Sequence, residues 1–134
     1  MNTILMVYPA LATWLALLLY LGLAINVAKA RRRHQIHPPF TDGPEDFLRY
    51  YRVHQNMAEQ MILFLPSLWL FSFYYSPVWG GILGGLWVLA RMVYAIGYYQ
   101  NWEKRLPGFI ASIFIIIILM LGSLFGLLKV LSVF

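Results

Sequence analysis

The stretch RYYRVHQNMAEQ, residues 49–60, runs without a break into MILFLPSLWLF, residues 61–71. The second part is apolar enough for the interior of a lipid bilayer, whereas the first part carries two arginines, an asparagine and a glutamate. Placing a charged side chain in or beside a membrane costs several kcal/mol unless the charge is paired, hydrated or bound to a ligand as part of the function. The fold must therefore provide partners for these polar residues.

The composition of the whole chain also indicates a membrane protein. Of 134 residues, 61% are hydrophobic and 11% are charged. A water-soluble domain of this size could not bury that much apolar surface. Because a spanning helix needs roughly 20 apolar residues, the chain has room for four spans in a single domain, residues 1–134.

Turn-forming and charged residues divide the chain into four predicted membrane spans. These are residues 3–29, 45–74, 77–101 and 107–131. Pro38 and Pro39 interrupt the helix pattern between the first two spans, and Pro77 favours a helix start at the third. The predicted fold is an all-α integral membrane protein, a four-helix antiparallel bundle.

The basic residues predict the orientation of this bundle. Among the ten Lys and Arg residues, only Lys129 lies near the end of the bundle that carries the termini. The others are Lys29, Arg31, Arg32, Arg33, Arg49, Arg52, Arg91, Lys104 and Arg105. The positive-inside rule then places the loops between spans 1 and 2 and between spans 3 and 4 in the cytoplasm, with both termini on the outer or lumenal side. This topology explains the net charge of +5 without a nucleic-acid partner.

The polar residues of span 2 share one helix face. At about 100° per residue, Arg52, Asn56 and Glu59 lie at about 300°, 340° and 280° relative to Arg49. All four fall within an arc of roughly 80°, whereas His54 lies at about 140° and points elsewhere. A polar stripe therefore runs from the cytoplasmic boundary into the membrane.

Span 3 carries a matching polar stripe. Arg91, Tyr94 and Tyr98 have i, i+3, i+7 spacing, and a continuing helix would add Asn101 and Arg105 to the same face. Two such stripes on neighbouring helices predict one polar pocket near the cytoplasmic side.

These polar residues allow a structural and a functional interpretation. In the structural one, Arg52 pairs with Glu59 and Asn56 bridges helices by hydrogen bonds. Arg91 is expected to pair within the bundle, and Arg49 with a headgroup or the loop. However, the cations outnumber the single glutamate, so an anion is missing. An acidic ligand with carboxylates for arginine and an amine for Glu59 would supply it, and a small peptide has those groups.

The motifs carrying these residues resemble the MAPEG family, the membrane-associated proteins in eicosanoid and glutathione metabolism. FLRYYRVHQNMAEQMILFLPSLWLF (47–71) resembles the second helix of that family, including its pattern of Arg52, Asn56 and Glu59. ARRRHQIHPPFTDGPEDF (30–47) resembles its basic loop, and LARMVYAIGYYQNWEKRL (89–106) its third helix with the arginine that follows. The resemblance covers about residues 29–108.

The resemblance implies that glutathione binds in a bent shape between two subunits of a homotrimer, near the cytoplasmic face. Arg105 would lie at the sulfur as the catalytic residue. The implied glutathione-binding residues are Arg31, Arg52, Asn56, Glu59, Tyr94, Tyr98 and His54. Arg31 and His54 would belong to the neighbouring subunit, and Arg32 would act on the lipid substrate.

Thiol chemistry agrees with this assignment. The chain has no cysteine, so any reacting thiol must come from the ligand. A free thiol has a pKa near 8.5, and lowering it to about 6.5 requires roughly 2.7 kcal/mol of preferential stabilisation of the thiolate. One arginine in a partly desolvated site can supply that stabilisation.

The sequence therefore predicts a membrane glutathione transferase for lipophilic electrophiles, with reduction of lipid hydroperoxides as a second expected activity. The alternatives are a non-enzymatic lipid-binding protein of the same fold and a small proton-coupled multidrug transporter. Gln60 and Val93 depart from the leukotriene-forming members of the family and argue against that particular activity. His34 and His37 lack a third ligand, so no metal site is expected.

Overall fold

The computed structural model describes residues 3–133 and consists of four long α-helices joined by short connections. The helices are α1 (Val7–His34), α2 (Glu45–Tyr74), α3 (Pro77–Gln100) and α4 (Leu106–Leu131). One-turn 3₁₀ helices precede α1 (Thr3–Met6) and α4 (Trp102–Arg105). No strand occurs in this part of the chain, and the predicted all-α four-helix bundle is confirmed.

Helices α2 and α3 form the centre of the bundle, because each packs against all three other helices. Their main contact is a stack of Phe64 on Trp87, with ring centroids 3.8 Å apart and both side chains fully buried. The short connections make consecutive helices antiparallel. Thus Gly81 near the start of α3 lies against Tyr8 near the start of α1.

By length and apolar composition, three segments could cross a membrane: Thr3–His34, Pro77–Gln100 and Trp102–Leu131. Helix α2 is long enough but less apolar, because its first half carries the polar stripe. Much of the outer surface is apolar: Ile62 is 74% exposed and Leu121 is 62% exposed in the isolated chain. Such a surface suits contact with lipid or with other subunits.

Helix α1 extends five residues beyond the predicted end at Lys29. Its last turn contains Arg31 to His34, and cations in the last turn are favourable beside the partial negative charge of a helix C-terminus. Gln35 then ends the helix in the left-handed conformation, with φ 57°. His34 contacts Asp46 of α2 at 2.9 Å, which fastens the end of α1 to the start of α2.

Helix α3 ends at Gln100, one residue before the predicted end of the span, so the continuing helix that would have placed Asn101 and Arg105 on the same face is not formed. Asn101 has extended backbone angles, and its Oδ1 accepts a hydrogen bond from the Glu103 N–H at 3.1 Å. This side chain caps the following 3₁₀ turn instead of continuing α3. The 3₁₀ turn passes close to the end of α3 at Gly97. A side chain at this position would not fit, because a Cβ there would lie 2.9 Å from the Lys104 carbonyl carbon.

Candidate active site

A polar cavity of about 500 Å³ lies between α2, the end of α3 and the start of α4. It lies at the end of the bundle that carries the basic loops. Its lining residues are Arg52, Gln55, Asn56, Glu59, Tyr94, Tyr98, Trp102, Arg105, Leu106 and Phe109. The two predicted polar stripes therefore meet at one cavity, whose size falls in the range of about 300–1,000 Å³ typical of small-molecule sites.

The α2 side of the cavity presents charge that the protein itself does not neutralise. Arg52 Nη1 donates a hydrogen bond to Gln55 Oε1 at 3.0 Å. Glu59 is exposed and makes neither an ion pair nor a side-chain hydrogen bond within residues 3–133. The pairing of Arg52 with Glu59, which the structural interpretation requires, is not formed in the described chain. Both groups are free to bind a ligand.

Arg105 reaches the cavity from the 3₁₀ turn that precedes α4. Its Nη1 donates a hydrogen bond to the carbonyl oxygen of Trp102 at 2.6 Å. Its guanidinium carbon lies 5.3 Å from the centre of the Trp102 ring and 5.9 Å from that of Tyr98. Such cation–π contacts hold the guanidinium between two aromatic rings. The turn thus brings Arg105 to the cavity, although α3 has already ended.

The α3 side of the cavity is formed by two tyrosines on successive turns. The Tyr94 and Tyr98 ring centroids are 5.6 Å apart in an edge-to-face arrangement. Tyr94 is buried and Tyr98 is half-buried. Both hydroxyl groups can donate or accept hydrogen bonds.

Arg91 lies behind the cavity wall and does not line it. Its side chain is only 1% exposed. The Nη2 group donates a hydrogen bond of 2.7 Å to Oδ1 of Asn56, which does line the cavity. Arg91 therefore pairs within the bundle, and Asn56 bridges α2 and α3.

Three predicted site residues lie away from this cavity. Arg31 donates a hydrogen bond to the Phe40 carbonyl oxygen at 2.6 Å, and together with Arg32 it lines a separate recess near the α1–α2 loop. His54 stacks on Tyr20 of α1, with ring centroids 4.8 Å apart. A single chain does not bring these side chains to the cavity, and the predicted glutathione contacts of Arg31 and His54 require a neighbouring subunit.

Four lining residues were not predicted: Gln55, Trp102, Leu106 and Phe109. Gln55 lies outside the arc of the polar stripe, and the two apolar residues of α4 carry no chemical signal. Trp102 lies three residues before Arg105 on one tight turn, and this spacing could have indicated a contact between the two side chains. Gln60 is buried and does not line the cavity.

The described residues, 3–133, contain no cluster of three or more His, Asp or Glu side chains that could hold a metal ion. His34 is engaged with Asp46. The charged and hydrogen-bonding side chains that line the cavity include arginine, carboxylate, amide and phenol groups.

The apolar helices define the class of helical integral membrane proteins, and the polar cavity at one end of the bundle is the candidate site of this chain. The family model of the MAPEG family matches residues 9–125, and this chain belongs to that family. The resemblance predicted from the sequence motifs is thus confirmed.

Individual relatives include proteins of bacteria and mammals. An uncharacterized protein of Synechocystis sp. is 48% identical over 123 residues, which cover 92% of this chain and 90% of the relative. Microsomal glutathione S-transferase 2 of Mus musculus is 37% identical over 103 residues, 77% of this chain and 70% of the relative. Leukotriene C4 synthase of Cavia porcellus is 35% identical over 103 residues, 77% of this chain and 69% of the relative.

Proposed function

We propose that this protein is a membrane glutathione transferase, which binds glutathione in the polar cavity and presents its sulfur as a thiolate to lipophilic electrophiles. The observation that carries the proposal is the convergence of Arg52, Asn56, Glu59 and Arg105 on one cavity. The microsomal glutathione S-transferase 2 and leukotriene C4 synthase relatives support it at the level of the family.

The charge of the site matches that of glutathione. Arg52, Arg105 and the buried Arg91 behind the wall supply three positive charges, and Glu59 supplies one negative charge, for a net charge of about +2. Glutathione with an ionised sulfur has two carboxylates, one ammonium and one thiolate, for a net charge of about −2. Arg52 suits a carboxylate, and Glu59 is free to accept hydrogen bonds from the ammonium group.

Arg105 is the proposed catalytic residue. Its guanidinium is held between Trp102 and Tyr98 but has no acidic partner in the described chain, so its charge remains available. A cation beside the sulfur favours the thiolate over the thiol and thereby lowers the pKa of the ligand. The proton of the thiol passes to solvent at the open side of the cavity.

The thiolate then attacks an electrophile that enters from the membrane. In conjugation, a sulfur–carbon bond forms and the leaving group departs with the electron pair of the broken bond. In the second proposed activity, the thiolate attacks a lipid hydroperoxide and releases the lipid alcohol. A second glutathione then converts the resulting sulfenic acid to glutathione disulfide and water.

The quaternary arrangement belongs to the same proposal. We expect a homotrimer in which Arg31 and His54 of a neighbouring subunit complete the glutathione site and Arg32 contacts the lipid substrate. The basic loops and the cavity face the cytoplasm, and the termini lie on the outer or lumenal side.

A matched pair of variants tests the role of Arg105. Arg105→Ala should lower the conjugation rate at saturating glutathione by about 100-fold, the rate equivalent of about 2.7 kcal/mol, because the thiolate loses its cation. Lys104→Ala is the control, because it removes the neighbouring positive charge. The Lys104 ammonium group lies outside the cavity and donates a hydrogen bond to Gln100 Oε1 at 3.1 Å, so this variant should leave the rate unchanged. Equal rates for Arg105→Ala and the unmodified protein would contradict the assignment.

If the purified protein binds no glutathione at all, the proposed function fails. The lipid-binding and transporter alternatives would then be tested directly, by lipid binding and by proton-coupled transport that depends on Glu59.

A further inference from the structure

Arg91 is the most deeply buried charged side chain of the described structure, and the mechanism above gives it no contact with substrate. It is 1% exposed, and no carboxylate in residues 3–133 forms an ion pair with it. Its hydrogen-bond acceptors are Asn56 Oδ1 at 2.7 Å and Ser112 Oγ at 3.4 Å. A buried cation with only neutral partners is costly, which suggests a role beyond packing.

The bond to Asn56 determines which end of the Asn56 carboxamide faces the cavity. A guanidinium group can only donate hydrogen bonds, so the atom that it contacts must be the oxygen of the carboxamide. With the oxygen held by Arg91, the NH₂ group of Asn56 remains for the ligand. It makes no hydrogen bond to any side chain or backbone group of the described chain.

The Arg91 side chain is itself held in place. Its guanidinium carbon lies 4.0 Å from the centre of the Tyr94 ring and 5.9 Å from that of the buried Trp87 ring. Ser112 Oγ accepts from Arg91 and donates to the Phe109 carbonyl oxygen at 2.8 Å. Residues of α3 and α4 therefore orient Arg91, and Arg91 in turn orients Asn56 of α2.

We propose that Arg91 is a positioning residue, which fixes the Asn56 carboxamide as a hydrogen-bond donor to the cavity and so selects an acceptor group, a carbonyl or carboxylate oxygen of the bound peptide. Arg91 does this without touching the ligand. This inference rests on the proposed function, because it takes glutathione as the ligand whose oxygen Asn56 contacts.

A double-mutant cycle tests whether Arg91 acts through Asn56. The measurement is the glutathione affinity of the full-length protein in detergent, by titration calorimetry, with the thermal unfolding temperature recorded for each variant. Asn56→Ala and Arg91→Met should each weaken binding about tenfold. The double variant should have the same glutathione affinity as the single variant that binds less tightly. Both changes remove the same contact, the hydrogen bond from the Asn56 carboxamide to the ligand.

Two further variants distinguish the positioning of Asn56 by Arg91 from a general effect of positive charge on glutathione binding. Arg91→Lys retains a donor and should restore part of the affinity that Arg91→Met loses. Arg49→Met removes an arginine that pairs with Glu45 at 3.4 Å outside the cavity, and it should bind glutathione normally.

Asn56→Asp keeps the proposal testable if Arg91→Met does not fold. Its carboxylate can pair with Arg91, so we expect an unfolding temperature at least as high as that of the unmodified protein. Glutathione affinity should nevertheless fall at least tenfold, because a negatively charged acceptor replaces the donor.

Additive losses in the cycle, or unchanged binding by Asn56→Asp, would overturn this inference while leaving the proposed function intact. Absence of glutathione binding by the unmodified protein would overturn the proposed function, and this inference with it.

Discussion

Glu59 and Arg52 lie one above the other on the same face of α2, yet they do not pair with each other in the described chain. Both side chains are exposed at the cavity and available for a ligand. Unpaired charges of opposite sign at one cavity suit a zwitterionic ligand better than a simple anion. At the scale of single residues, these free charges support the proposal that the site receives an amine together with carboxylates.

The Glu59 carboxylate provides a test at this scale. Glu59→Gln should weaken glutathione binding about tenfold, equivalent to about 1.4 kcal/mol, because the neutral amide attracts an ammonium group less strongly. The measurement is equilibrium binding at neutral pH. Glu103→Gln is the control, since its side chain is exposed and outside the cavity lining. Equal losses for both variants would show that Glu59 has no specific role.

Helical spacing predicted three of the four α2 residues that line the cavity, although it also included Arg49 and missed Gln55. Arg52, Asn56 and Glu59 were placed within one arc, and all three line the cavity. The spacing could not predict the partner of Arg91, because a helical wheel gives a direction on one helix and no depth relative to its neighbours. Burial by Trp87 and Tyr94 and the contact with Asn56 depend on how α2 and α3 pack.

At the scale of secondary-structure elements, the connection from α3 to α4 determines where Arg105 lies. The sequence motifs predicted that Arg105 belongs to the site, and the predicted spans left it in the connection between α3 and α4 without giving the path of that connection. The actual path depends on the cap formed by Asn101 and on the close return of the chain to Gly97. Both are tertiary details that the apolar periodicity of the spans does not encode.

Gly108 tests the packing that supports this connection. A Cβ at Gly108 would lie 2.7 Å from the Ala90 carbonyl oxygen, and this backbone atom can move only if α3 and α4 separate. Gly108→Ala should therefore destabilise the protein by about 1–3 kcal/mol, measured by thermal unfolding in detergent. Gly85→Ala is the matched control, because a Cβ there meets no atom within 4 Å and alanine favours the helix. A stable Gly108→Ala protein would argue against this close contact of α3 and α4.

At the scale of the whole molecule, the isolated chain contains most of the proposed site, while Arg31 and His54 lie outside it. The class of fold could be predicted because the apolar spans and the basic loops follow from the composition and from the order of residues along the chain. The oligomeric state could not, since exposed apolar side chains suit lipid and a neighbouring subunit equally well.

Subunit complementation tests the proposed trimer and its shared sites. Arg31→Ala and Arg105→Ala should each lose most of the conjugation activity when expressed alone. Mixed oligomers should recover part of the activity, because Arg31 of one subunit and Arg105 of its neighbour form some complete sites. Affinity tags of two kinds verify that mixed oligomers form, and conjugation activity is the readout. Mixed oligomers without recovered activity would contradict a site shared between subunits.

The measurement that tests the central claim most directly is an ultraviolet difference spectrum of the purified protein during titration with glutathione at neutral pH. We predict a saturable thiolate absorption band that is lost in Arg105→Ala and retained in Lys104→Ala. A protein that binds glutathione without any thiolate signal, or an Arg105→Ala variant with the full signal, would contradict thiol activation by Arg105.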